Sequence, residues 1–277
     1  KLHVSYDSLL QNDRFTFRSA YVDADSSIYF GLSSGHLFRL RSREEIPPPE
    51  NLDLKQGKEH LKGASIFCIT GYINSRLLLG TAKGIFTIDK NTMEVMPLNN
   101  QLPLLSSDIR SIIYRDKENI WIGTNGNGLL NYNPIKKTIR QFRKEEGLSD
   151  NSVYSLLMDA TGNLWMGTNK GICKFIPGNN SFLTFSNKDG LLFEEFNTNA
   201  ACSLTDGRLA FGGINGFVIF HPDTVSAHML SPPPVITKIL CNNKIQPLDS
   251  SFHFQYTENN LTFQFSSLDF FRNEEIQ

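Results

Sequence analysis

Two pairs of adjacent carboxylates, Glu145-Glu146 and Glu194-Glu195, come closest in this chain to a recognisable acid–base chemistry. Cleavage of a glycosidic bond needs two carboxyl groups about 5–10 Å apart, one held protonated and one ionised. These four glutamates lie in polar loops, where a solvated surface carboxylate is the expected state, so no catalytic residue is assigned. Asp116 and Asp159 each open a turn that leads to Trp121 or Trp165. A carboxylate there caps backbone N–H groups while the indole packs, which is a structural role. The six histidines are scattered, without HExxH spacing. The four cysteines, Cys68, Cys173, Cys202 and Cys241, show no CxxC or HxxxC spacing. No metal site and no cofactor is therefore expected; buried reduced thiols are the first reading of the cysteines and a disulfide the alternative.

Recognition chemistry is better represented than catalysis. Lys83, Asn125, Asn127, Asn151, Lys170, Asn197 and Asn215 stand in or beside short Gly- and Asn-rich turns. Amide and ammonium groups suit sugar hydroxyls and uronate carboxylates, because they donate and accept hydrogen bonds without a buried charge. Asn and Gly also populate such turns for their left-handed backbone alone. The seven residues are thus candidate ligand contacts that have a plain structural reading beside them.

The elements that carry these turns repeat. IYFGLSSGHLF, LLLGTAKGIFTI, IWIGTNGNGLLNY, LWMGTNKGICKF and LAFGGINGFVIF align on Gly31, Gly80, Gly123, Gly167 and Gly212, with successive spacings of 49, 43, 44 and 45 residues. A period in the forties made of short apolar runs is the mark of a β-propeller, whose blades are small sheets that cannot bury their faces alone. In the clearest repeat, Asn151 to Met158, Leu164 to Thr168, Ile172 to Ile176 and Ser181 to Ser186 read as four strands joined by turns. The repeat before it places strands at Asp108 to Tyr114, Asn119 to Thr124, Leu129 to Tyr132 and Thr138 to Phe142. If strands run from inner to outer, the turns between second and third strands share one face with the loops that join blades, and the seven candidates gather there.

The charge balance, 27 basic against 28 acidic residues in 277, favours neither nucleic acid nor an anionic membrane as a partner. No stretch approaches the roughly 20 apolar residues of a membrane span. After His221-Pro222-Asp223 the repeat stops, and Ser231-Pro232-Pro233-Pro234 reads as a stiff linker. Val235 to Ile245, Phe252 to Tyr256 and Leu261 to Ser266 then alternate apolar and polar residues as half-exposed strands of a sandwich. The expected fold is all-β: residues 1–228 a β-propeller of about five four-stranded blades, and 229–277 the first part of an immunoglobulin-like β-sandwich. Leu2 to Tyr6 resembles an outer fourth strand and would complete the last blade of a five-bladed ring. A fragment of a larger, seven-bladed ring is the alternative.

GLSDNSVYSLLMDATGNLWMGTNKGICKF and DIRSIIYRDKENIWIGTNGNGLLNYNP resemble the two-component regulator propeller repeat of bacterial sensors. PPPVITKILCNNK followed by YTENNLTFQFSSLDF is similar to the opening of the triple-tyrosine immunoglobulin-like domain that follows such propellers. The outer repeats depart from the pattern, with Tyr29, Leu78 and Ala210 where Trp121 and Trp165 stand. The resemblance implies the periplasmic sensing region of a Bacteroides-type hybrid two-component system, associated with oligosaccharides from polysaccharide breakdown. It implies a homodimer in the full-length sensor, and a membrane span and histidine kinase only downstream. On this reading the chain is a non-enzymatic ectodomain that binds an oligosaccharide. A protein-binding or structural propeller and a propeller glycoside hydrolase are the alternatives.

Overall fold

The computed structural model describes residues 16–41, 50–52, 54–98, 101–225, 235–246 and 260–266. The chain divides into two compact units, Lys1–Val225 and Ser226–Gln277. The first is a β-propeller made of successive antiparallel sheets. Blade one contains β1 (Phe17–Val22), β2 (Ile28–Leu32), β3 (Leu37–Leu40) and β4 (Glu50–Asn51); blade two contains β5 (Ile66–Tyr72), β6 (Arg76–Thr81), β7 (Gly84–Asp89) and β8 (Val95–Pro97). Blade three contains β9 (Ile109–Asp116), β10 (Asn119–Thr124), β11 (Leu129–Asn133) and β12 (Thr138–Phe142). Blade four follows with β13 (Val153–Met158), β14 (Leu164–Thr168), β15 (Ile172–Ile176) and β16 (Ser181–Phe185). Blade five has three strands among the described residues: β17 (Phe196–Ser203), β18 (Leu209–Gly213) and β19 (Gly216–Phe220). The strand expected at Leu2 to Tyr6 lies outside the described residues.

The first strands β1, β5, β9, β13 and β17 pack one on the next, and β17 also reaches β9 and β5, so the blades curl around a common axis. Three apolar clusters correspond to three blade joints. Tyr29 and Leu37 of blade one meet Ile66, Leu77, Leu79 and Phe86 of blade two. Cys68, Leu78 and Ile85 meet Ile109, Ile120, Ile122 and Leu130. Trp121, Leu129 and Phe142 meet Leu164, Met166, Cys173 and Phe175. The fourth joint is aromatic: the Trp165 ring lies 4.9 Å from Phe220, and Phe196 packs with Phe193 and Phe211. Both tryptophans expected between blades are buried there, Trp121 at 5% and Trp165 at 0% exposure.

These joints explain the glycine on which the repeat aligns. Ser19, Cys68, Ser111 and Ser155 pair directly with Gly31, Gly80, Gly123 and Gly167. A Cβ on any of the four would collide with that partner side chain. It would also come within 2.6–2.9 Å of the leading residue of the next blade, Ile66, Ile109, Val153 or Phe196. The glycine is the seat into which the following blade packs, a close approach that no side chain permits.

The aspartate turns are structural, as their sequence suggests. Asp159 accepts hydrogen bonds from the backbone N–H groups of Thr161 and Asn163 at 3.0 and 2.9 Å and from Trp165 Nε1 at 2.8 Å. Burial works against its ionised form, but the Trp165, Thr161 and Asn163 hydrogen bonds outweigh it and hold the carboxyl below the usual carboxylate range. No cysteine is disulfide-bonded. Burial raises the Cys173 thiol and pushes Cys68 up to about 12.

The second unit, described by itself, holds a three-stranded antiparallel sheet in the order β21-β20-β22, with β20 (Val235–Cys241), β21 (Lys244–Gln246) and β22 (Leu261–Ser266). The single strand expected over Val235 to Ile245 is a hairpin instead. Asn242 and Asn243 both have positive φ, 50° and 64°, and Asn-Asn makes the tight left-handed turn that twisted strands favour. The strand expected at Phe252 to Tyr256 lies outside the described residues.

Candidate functional site

The register decides which ends of the strands lie together. Thr124, closing β10, pairs with Ile109, opening β9, and Leu129, opening β11, pairs with Phe142, closing β12. The turn after each second strand therefore shares one end of its blade with the loops between blades. Three of these turns have one construction. Thr81, Thr124 and Thr168 are fully buried, and their hydroxyls donate to Gly84, Gly128 and Gly171 carbonyls at 2.8–2.9 Å. The same hydroxyls accept the backbone N–H of Lys83, Asn127 and Lys170 at 2.9–3.0 Å. The Gly-Thr pair in GTAKG, GTNGNG and GTNKG is the sequence signal for this geometry.

The turns also latch the blades together. Gly126 and Gly128 donate their N–H groups to the Asn151 carbonyl at 3.0 and 2.7 Å, and Gly171 donates to the Glu194 carbonyl at 2.9 Å. Several candidate side chains are committed to the same framework. Asn125 Nδ2 donates to Asp108 Oδ2 at 3.1 Å, and its Oδ1 accepts from Ser152 Oγ at 3.1 Å. Asn127 Nδ2 donates to Ser107 Oγ at 3.0 Å, and Asn151 Oδ1 accepts the Lys144 N–H at 2.9 Å. Lys83 Nζ donates to the Lys62 carbonyl at 2.7 Å. Lys170, Asn197 and Asn215 are exposed. Glu146 and Glu194 accept backbone N–H groups, of Arg143 at 2.8 Å and Asn187 at 3.0 Å, so two of the four glutamates brace short turns.

A second set of residues at this end becomes visible only through strand pairing. In each of the first four blades the first strand carries one unpaired residue immediately after its leading apolar one: Arg18, Phe67, Arg110 and Tyr154. Such bulges re-aim a side chain out of the pleat. In β17 the irregularity widens to the stretch between Phe196 and Ala201, with Asn199 at φ 53°. Arg110 gathers three blades: its guanidinium lies 4.1 Å from the Phe67 ring centroid, Nη2 is 2.6 Å from Asp108 Oδ2, and Nη1 donates to Thr198 Oγ1 at 3.3 Å. Tyr154 Oη accepts from Asn169 Nδ2 at 3.2 Å. The signal was present in the sequence as apolar-x-Ser or apolar-x-Cys triplets. Each Ser or Cys stands 12 positions before its glycine (19 and 31, 68 and 80, 111 and 123, 155 and 167), but only pairing shows the middle residue to be the extra one.

A cavity of about 620 Å³ lined by Tyr72, Arg76, Tyr132 and Lys137 lies at the opposite end of blades two and three. Among the described residues no group of three or more His, Cys, Asp or Glu side chains could hold a metal ion. No helix among them is long and apolar enough to cross a membrane.

Residues 147–170, the loop into blade four, its first hairpin and the following turn, match the two-component regulator propeller family. That segment resembles one such repeat. The chain is 29% identical over 181 residues to histidine kinase P4 of Formosa agariphila, a match that covers 62% of this chain and 13% of that protein. Among solved structures it is similar to an extracellular domain ascribed to a hybrid two-component system of B. thetaiotaomicron, at 21% identity and TM-score 0.52. That match covers 91% of this chain and 41% of the other. An extracellular domain ascribed to a one-component system of the same organism matches at 19% identity and TM-score 0.64, over 85% of this chain and 33% of the other. The chain thus spans less than half the length of each of these matched chains.

Proposed function

We propose that this chain is part of the extracellular, ligand-sensing region of a histidine-kinase system, and that the bulge end of the propeller binds an oligosaccharide carrying carboxylates. The observation that carries the reading is the repeated bulge. It brings Arg110, Phe67 and Tyr154 to the end of the blades that also holds Lys170 and Asn197. Planar rings, a guanidinium and amide side chains are the groups with which proteins hold a sugar ring and its carboxylate. The propeller repeat and the relatives named above support the sensory role. Signalling would require the ligand to bind two arrangements of the receptor, a homodimer in this reading, with different affinity, since equal binding shifts nothing.

The test is titration calorimetry of the purified chain against galacturonate and glucuronate oligosaccharides of two to six units, with neutral oligosaccharides as controls. Acidic sugars should bind with micromolar affinity, about −8 kcal/mol. Replacing Lys170 and Asn197 together by alanine should weaken binding at least about tenfold, or 1.4 kcal/mol, without lowering the melting temperature, since exposed residues seldom matter to stability beyond about 0.5 kcal/mol. Asn127 is the poorer choice for this pair because its amide already bonds Ser107. Undiminished affinity in the double variant overturns the location. Absence of binding to every sugar overturns the ligand class, and release of shortened sugars overturns the non-enzymatic reading.

A further inference from the structure

The first hairpin of each blade turns at the end of the propeller opposite the bulges, and in four blades an aspartate makes that turn. Asp25, Asp116, Asp159 and Asp206 accept the backbone N–H groups of Ser27, Glu118, Thr161 and Arg208 at 2.8–3.1 Å. Blade two departs from this. Its turn, Ile73-Asn74-Ser75, contains no carboxylate, and Asn74 and Ser75 reverse the chain with positive φ of 53° and 55°. Tyr72 and Arg76 pair beside it, where Asp116 and Asn119 pair in blade three. Blade three has a departure of its own. Tyr132, opposite Ile120, holds the place taken by Leu40, Ile88, Phe175 and Phe220 in the other blades, none of which carries a polar side-chain atom. The two departures face each other across the joint between blades two and three, and both line the cavity of about 620 Å³, a volume usual for a small-molecule site.

The chemistry of this cavity is one-sided. Its lining among the described residues includes two cations, Arg76 and Lys137, and no carboxylate. Asp89 Oδ2 holds Arg76 through Nε at 3.4 Å, which leaves both Nη groups to donate. Lys137 is exposed and makes no ion pair among the described residues. Tyr72 stands edge-on to Tyr114, with ring centroids 5.1 Å apart. Burial, together with Tyr114 and Tyr132, raises the Tyr72 phenol against the opposing pull of Arg76, so its hydroxyl keeps the proton at neutral pH and is a donor. Ile73, Met96, Leu98 and Pro134 make the rest of the wall apolar, and Ile73 and Met96 are exposed at the rim.

We propose that this cavity is a second ligand site and that it takes a small organic carboxylate with an apolar body, the carboxylate held by Arg76 and Lys137 and the body by Tyr72, Met96 and Leu98. A guanidinium and an ammonium without a neighbouring acid in the lining favour an anion, and a guanidinium can hold a carboxylate through two parallel hydrogen bonds. A sugar acid fits less well, because its hydroxyls would face Met96, Leu98 and Pro134 without partners. The site is independent of the one proposed for sugars, since the two lie at opposite ends of the blades. The fold does not require Tyr72, Arg76 or Tyr132, because the other blades make the same turn and the same strand without them.

The experiment is titration calorimetry of the 277-residue chain with 2-naphthoate, and with 2-naphthamide as an uncharged counterpart of the same shape. Naphthoate should bind with a dissociation constant of about 1 mM or below, the level expected of a ligand of this size. The amide should bind at least about tenfold more weakly, since it forgoes the charge-assisted hydrogen bonds. Arg76→Gln combined with Lys137→Gln should weaken naphthoate at least about tenfold and leave the amide unchanged. Lys137→Gln alone, a change to an exposed side chain, should weaken naphthoate about threefold or more, and it carries the test if the Arg76 variant fails to fold. Lys170→Ala combined with Asn197→Ala should leave naphthoate binding as it is. Equal binding of acid and amide overturns the ligand class, and undiminished affinity in Lys137→Gln and in the double variant overturns the location. Absence of saturable naphthoate binding overturns the site itself. Displacement of naphthoate by galacturonate oligosaccharides, or its loss in the Lys170 and Asn197 variant, overturns the separation from the sugar site.

Discussion

Alanine at two of the five repeat glycines should have unequal consequences, and the contrast isolates the joint from the turn. Gly123 and Gly212 occupy equivalent places, and neither has a positive φ, so alanine strains the backbone at neither site. At Gly123 the new Cβ would collide with Ser111 Oγ and lie 2.7 Å from the Val153 carbonyl oxygen and 2.8 Å from Val153 Cγ1. The carbonyl belongs to the backbone of the next blade and cannot swing aside. Overpacking of this kind costs about 1–3 kcal/mol, and the reduced entropy of the unfolded chain returns about 0.4–1 kcal/mol. The net loss for Gly123→Ala is therefore about 1–2 kcal/mol. At about 2–4 °C per kcal/mol for a domain of this size, the melting temperature should fall by about 2–8 °C. At Gly212 the nearest atoms are Ala200 Cβ at 3.2 Å and its carbonyl oxygen at 3.5 Å, so a few tenths of an ångström of adjustment suffice. Gly212→Ala should be neutral within about 0.5 kcal/mol. Thermal melts followed by circular dichroism, with urea titrations to check that the m-value is unchanged, measure both. Equal melting temperatures for the two variants would refute the reasoning that the glycine exists to seat the next blade.

Trp165→Ala should cost about 3–5 kcal/mol in a urea titration, since it empties a fully buried indole site between two blades. Asp159→Ala should cost about 2–3 kcal/mol, because it strands the Trp165 Nε1 donor and two turn N–H groups. Because the folded Asp159 carboxyl sits below its ordinary range, its contribution is complete above the ordinary carboxylate range and is lost as pH falls through the folded value. A pH series of melts should accordingly show a shallower acid limb in Asp159→Asn than in the parent. Lys90 binds Asp23 across the first joint at 2.6 Å, and that hydrogen bond raises the lysine's affinity for its proton. Its contribution is complete below the ordinary lysine range and is lost as pH rises through the raised folded value, so Lys90→Met should flatten the alkaline limb of the same series.

The repeat was legible because each blade must satisfy the same local rules. An apolar first strand, a Gly or Asp turn and a second strand ending in glycine are short-range features, and their period is written in Gly31, Gly80, Gly123, Gly167 and Gly212. The turn face was legible for the same reason, and with it the neighbourhood of Lys83, Asn127 and Lys170. Sequence alone did not show which side chains on that face are already engaged. Asn125, Asn127 and Asn151 look like exposed amides in a one-dimensional reading, yet their partners Asp108, Ser107 and Lys144 come from other strands and loops. Arg18, Phe67, Arg110 and Tyr154 were illegible because a bulge is a property of two strands, and the extra residue exists only relative to a partner. The Asn-Asn turn that splits Val235 to Ile245 was hidden by an apolar alternation that runs on through it. The exposure of Phe17 and Phe217 was hidden for a different reason. Phe17 and Phe217 are as apolar as their buried counterparts, so composition assigns all of them to a core. Whether an apolar residue is covered depends on which blade stands beside it, and that neighbour is decided by the curvature of the whole ring.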